Sequence, residues 1–243
     1  MRRLGPILIT PLALAAGAAA GLWLWKRWGY VVRSVEREAA YVPPPPVTSE
    51  PEPVGKAPIQ HQEEGTGPRF HRRYRVDVSA STLAPEALMT RIQDDIQAFV
   101  PDEIATFERT EGEGAFAVGD EFHIHIASPW DGPVRVVEVT PTHFTLATLD
   151  GHMEAGKIRF EAVEHDPEAG ALRFTIESWA RSRDRLVDVA YDDLGVAKKA
   201  QQGMWTFFCE RVAEACGGEK IGEIEVFTER EADSEEVPDQ DDA

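Results

Sequence analysis

The sequence predicts an α+β domain in which a curved antiparallel sheet wraps a long C-terminal helix, with one transmembrane helix ahead of it. Three observations predict this. A train of short segments between residues 72 and 176 alternates apolar and polar side chains, with turn residues between them. An apolar stripe at helical spacing follows near the C-terminus. An uncharged apolar run opens the chain.

That run extends from Leu4 to Trp25, 22 positions without a charge. As a helix it would measure about 33 Å, against about 30 Å of bilayer hydrocarbon. Arg2 and Arg3 precede it, Lys26, Arg27 and Arg33 follow, and Trp23, Trp25, Trp28 and Tyr30 gather at one end. Aromatic rings of this kind favour the headgroup level. Ala16-Gly17-Ala18-Ala19-Ala20 offers a rival signal-peptide cleavage site, but the apolar run continues past it. Residues 1–28 are therefore expected to anchor the chain. The excess of Lys and Arg after the run predicts that the globular part faces the cytoplasm.

Residues 29–68 read as a linker. Eight of the 17 prolines fall within 39–68, including Pro43-Pro44-Pro45-Pro46, a composition that favours an extended spacer. Residues 69–221 read as the folded domain, and 222–243 as an acidic disordered tail.

Within the domain, Tyr74, Val76 and Val78 alternate with Arg73, Arg75 and Asp77. Pro85 marks a helix start, and Leu88, Met89, Ile92, Ile96 and Phe99 recur at helical spacing before Pro101. Strands are then predicted around Phe122–Ile126, Val134–Val139, Phe144–Leu149, Ile158–Ala162 and Leu172–Ile176. A final helix is predicted over 193–215, with Met204, Trp205, Phe208, Val212 and Ala215 as its stripe and Gly217-Gly218 as its stop. This order matches the helix-grip arrangement of START-like proteins, whose sheet and helix commonly enclose an apolar cavity.

Charge excludes one function class. The formal net charge is −18; acidic residues outnumber basic ones 27 to 17 over 69–221 and ten to one over 222–243. Such a surface repels phosphate backbones, so nucleic acid is not an expected partner. Cys209 and Cys216 lie seven apart on the predicted helix, about 10.5 Å, too far for a disulfide.

Residues 148–156 read Thr148-Leu149-x-Gly151-His152-x-Glu154-x-Gly156, with Phe160 beyond and Pro133-x-Arg135-Val136 upstream. This pattern resembles the motif of the domain-of-unknown-function family DUF1990, over about residues 70–216 in order of elements. Two positions depart from it: Ala147 stands where the family usually has Gly, and Lys157-Ile158 where it usually has acidic residues. The resemblance implies a START-like domain and supplies no activity.

His152 and Glu154 are the sharpest candidate pair. Counting by twos from Phe160 places both on its apolar face, where they could orient a polar ligand group or exchange a proton. The alternative is a hairpin end, with Asp150-Gly151 as the turn and Gly156 as a bulge. Thr148, Arg135 and Trp130 complete the candidate ligand-binding set; Arg135 could meet an anion or pair with Glu154. His123-x-His125 has the strand spacing of two metal ligands, but that face is opposite Phe122 and Ile124, and no metal or cofactor is expected. Three functions remain: binding of a small apolar ligand or lipid by a membrane-tethered domain, an interaction or scaffold domain with a filled core, and a cyclase- or hydrolase-like enzyme using His152 and Glu154.

Overall fold

The computed structural model describes residues 32–47, 56–126, 132–183 and 196–231. The expected anchor, Trp130 and residues 232–243 lie outside them. Among the described residues, no helix is long and apolar enough to cross a membrane.

Ten strands form one sheet: β1 Val32–Ala39, β2 Thr66–Ser79, β3 Ala105–Glu111, β4 Glu121–Ile126, β5 Gly132–Val139, β6 His143–Thr148, β7 Glu154–Asp166, β8 Ala171–Ser182, β9 Glu219–Lys220 and β10 Ile224–Glu231. Their order is β1-β10-β2-β8-β7-β6-β5-β4-β3, with β9 paired to β2 off this path; the two ends do not meet. Neighbours along the path are antiparallel except β1 and β10, which are parallel. Among the described residues, two α-helices accompany the sheet, α1 Pro85–Asp94 and α2 Val196–Cys216. This is the expected α+β class, a large curved, unclosed sheet gripping a helix.

The strand alternation decides which residues fill the grip. On β2, Tyr74, Val76 and Val78 are buried; on β7, Phe160 and Ala162; on β8, Leu172, Phe174 and Ile176. All belong to one cluster with Met204, Trp205, Phe208, Cys209 and Val212 of α2. Phe208 sits at the centre: its ring is 5.4 Å from Phe99, 5.4 Å from Phe160 and 5.7 Å from Phe174. Phe144 and Phe160, opposite one another on β6 and β7, stack at 4.7 Å. α1 breaks at Asp95, whose carboxylate caps a 3-10 turn Ile96–Phe99, and so still delivers Ile96 and Phe99 to the core.

Two segment boundaries are corrected. The linker bounds of 29–68 take in residues that belong to the sheet and to a strap on it. Val32–Ala39 are strand β1, and residues 56–60 strap the outer face of the sheet. Ile59 bridges Leu149, and Gln60 N–H donates to Thr148 O at 2.8 Å. Ile59, Val137, Ala147 and Leu149 form a second small core, with Val47 of the proline segment against it. The tail reading of 222–243 fails over Ile224–Glu231. These residues are β10, with Ile224 and Val226 buried in the main core. Both cysteines are free and buried.

Candidate functional site

The β6–β7 hairpin brings the motif together. The His152 N–H donates to Leu149 O (3.0 Å), closing the Asp150-Gly151 turn, where Gly151 takes a φ of 97°. The Thr148 hydroxyl accepts from Gly156 N–H at 2.9 Å and lies 3.2 Å from Gln60 O and Gly156 O. It ties β6 to β7 and to the strap. The Gln60 side-chain amide reaches His152 O and Glu154 O, each at 3.0 Å. Thr148, Gly151, His152 and Gly156 therefore have structural work in the hairpin. A Cβ on Gly156 would fall 1.9 Å from the backbone oxygen of Trp179 on β8. Gly156→Ala should cost at least about 2 kcal/mol, since backbone must move to make room; chemical denaturation of the variant checks this.

His152 precedes β7, and its ring lies on Gly132, where a Cβ would come within 2.0 Å of the imidazole. Its Nδ1 is 3.0 Å from the Glu154 backbone nitrogen. It is also 3.0 Å from the Glu154 backbone oxygen, so Nδ1 accepts from that N–H in one tautomer and donates to that carbonyl in the other. Burial holds the imidazole below its ordinary range, against the pull of the Glu154 charge. His152→Leu should cost about 1–3 kcal/mol, because a Glu154 backbone group loses this partner. The depressed histidine contributes stability that is present above its unfolded pKa and lost as pH falls. Thermal melts should thus show the parent losing more stability than the variant on acidification below about pH 6.5.

Glu154 behaves differently. Its side chain turns into the grip, 3.5 Å from the Arg72 guanidinium and 3.2 Å from the Gln201 amide of α2. Arg72 is 5% exposed. Tyr74, two residues on along the same face of β2, is also buried. Burial pushes its hydroxyl up to about 12, while Arg72 pulls it down and Glu154 pushes it up. The phenol stays neutral and able to donate. Ser178 and Ser182 on β8 stand opposite Arg72 and Glu154 in register.

Arg135 is not part of this group. It lies on the outer face, fully buried, and donates to Glu121 at 2.7 Å and to Ala57 O at 2.8 Å. It anchors the strap, and its carboxylate partner is Glu121 rather than Glu154. Alternation explains this, because Arg135 has the opposite parity to the inward Val134 and Val136. His123 and His125 stack at 4.5 Å, and His125 meets Glu108 at 2.9 Å. Among the described residues, no three His, Cys, Asp or Glu side chains are grouped to hold a metal. Sequence patterning misses Arg72, Tyr74 and Gln201 as site residues. A signal for Arg72 exists: it shares parity with Tyr74, Val76 and Val78.

Two of the clefts among the described residues measure about 310 and 460 Å³. Both flank the Ile96–Phe99 turn on the outside of α2, against Asp95 and Arg211, away from the Arg72–Glu154 group.

Norcoclaurine synthase from Thalictrum flavum, solved in complex with dopamine and hydroxybenzaldehyde, superposes with a TM-score of 0.44 at 11% identity, over 68% of this chain and 98% of that one. A protein of Thermus thermophilus gives 0.44 at 10% identity, over 60% and 98%. A conserved protein from Geobacillus kaustophilus gives 0.41 at 12%, over 63% and 99%. At such identities and scores no residue role or ligand is carried over. No curated protein matches the chain. Residues 57–205, which span the strap, the whole β6–β7 motif and the first half of α2, match the family described as Domain of unknown function (DUF1990), and the chain belongs to that family.

Proposed function

We propose that the domain is a non-catalytic binding module that holds the polar group of a small ligand at the Arg72–Glu154–Gln201 end of the grip. The chain would be tethered to a membrane through residues 4–25. One observation carries the reading: two charged side chains, with Gln201 and two buried serines beside them, turn inward next to the apolar core. Burying charge is costly, and an apolar pair of similar volume would serve stability as well or better. Arg72 offers a fork of donors suited to a carboxylate or phosphate, while Glu154 and the Tyr74 hydroxyl can accept from or donate to a polar ligand.

The ligand in this reading is narrower than a lipid. Phe144, Phe160, Trp205 and Phe208 pack together in the buried core cluster inside the grip. That packing also favours a second reading, an interaction domain whose core is filled by its own side chains. An enzyme using His152 and Glu154 together is less supported, because the His152 Nδ1 is engaged by the Glu154 backbone while the Glu154 carboxylate turns to Arg72 and Gln201.

The test is native mass spectrometry of the purified full chain beside an Arg72→Met/Glu154→Met double variant. The double variant should melt within about 1 kcal/mol of the parent, or above it, while any copurifying small molecule is lost. A variant that is clearly less stable and still carries the same molecule would assign the pair to structure and leave the filled-core reading.

A further inference from the structure

We propose that the end of the sheet carrying the β7–β8 turn and Ile221 lies against a zwitterionic bilayer, so that the Arg72–Glu154 site opens on the far, water-facing side. The inference rests on the expected anchor at residues 4–25, and it follows from where β1 begins. Only residues 26–31 separate the apolar run from Val32, the first residue of β1. Six residues span at most about 20 Å.

The register gives the level of Val32 in the sheet. It pairs with Ile224; the next residue, Glu225, pairs with Arg75, which places Ile224 at the level of Val76. Val76 faces Phe174, and Phe174 faces Ala162. Beyond Ala162, β7 runs four more residues to Asp166, about 13 Å further along the sheet at 3.3 Å per residue. The short tether thus keeps the Val32 end of the sheet next to the end of the apolar run; the 167–170 turn projects from this end, and Glu154 lies at the other. The proline segment cannot act as a spacer, because it follows β1 and its described part folds back over the sheet.

Ile221 is 47% exposed and Val163 38% exposed, two large apolar side chains near the tips of the strands. Asp166, Glu168 and Glu219 are also exposed there, a charge that disfavours anionic headgroups and is compatible with zwitterionic ones. Glu154 lies eight residues from Ala162 in the opposite direction, about 26 Å away. A ligand of that site would arrive from water rather than from the leaflet.

The full chain is reconstituted in phosphatidylcholine liposomes containing a lipid with a headgroup-level spin-label quencher. Cys209 and Cys216 are fully buried, so a single added cysteine takes the dye, either Glu168→Cys at the proposed contact or Glu63→Cys at the far end. The label at 168 should lose about half or more of its emission and the label at 63 almost none, given a separation of roughly a bilayer thickness. Equal quenching at both positions, or quenching at 63 alone, overturns the proposal. A chain that stays free of the liposomes overturns it as well, by removing the anchor. Ligand retention in the Arg72→Met/Glu154→Met variant is read separately, so failure of the binding reading is distinguishable from either result.

Discussion

Phe208→Ala should lower the stability of the domain by about 3–5 kcal/mol, the range for truncating a fully buried aromatic side chain. The ring has no exposed surface, and it touches four others: Phe99 from the 3-10 turn, Phe160 from β7, Phe174 from β8 and Trp205 one turn back on its own helix. Removing it opens a cavity bounded by rings already packed on their other sides, so the surroundings can close it only in part. Phe174 lies nearly parallel to it and Phe160 tilted, and both contacts add to the area term. Urea unfolding of the parent and variant gives the difference directly. A loss under about 1 kcal/mol would mean that α2 is not gripped by the sheet as described. Trp205→Ala should give a somewhat smaller loss, because that side chain retains 5% exposure.

How far the sequence can be read depends on whether the partners of a segment are near it. The β2, β4, β7 and β8 strands are legible from their own alternation, β5 and β6 from their β-branched and apolar content, and α2 from its own stripe. β10 is not. Ile224-Glu225-Val226-Phe227-Thr228-Glu229-Arg230-Glu231 has only two deeply buried positions, and its acidic residues make it resemble a solvated tail. Its charges are answered from far away: Glu225 by Arg75, Glu229 by His71 and Arg37, Glu231 by Arg69. Local composition cannot show that β2 presents this basic row. The same distance hides the strap, since Arg135 binds Ala57 O across 78 residues. At the candidate site, alternation places Glu154 correctly on the inner face. His152 escapes it because β7 starts at Glu154, and the histidine belongs to the turn. Most of the family motif proves to describe a hairpin closure. Of its polar side chains, Glu154 is the one that turns into the interior beside Arg72.

The β10 finding makes the largest prediction. Ending the chain after Gly222 should abolish the cooperative thermal transition, or lower stability by about 5 kcal/mol or more, although it removes only residues that read as an acidic tail. Ile224 and Val226 are buried in the main core, and each contributes about 1.5–3 kcal/mol by burial. Deleting them also exposes the β2 edge, which pairs with β10 over six residues, and leaves β1 without its neighbour in the sheet. Exposed backbone groups there would recover water, but the apolar loss alone approaches the roughly 5–15 kcal/mol by which a typical domain is stable. The surface ion pairs of β10 add little to this sum. Ending the chain instead after Glu231 removes only a stretch whose composition reads as an acidic tail, and should leave the melt within about 0.5 kcal/mol. Calorimetry of the two truncations separates the cases. A chain ending at Gly222 that still melts cooperatively near the parent temperature would show that β10 is not part of the folded domain, and a domain boundary at residue 221 would stand.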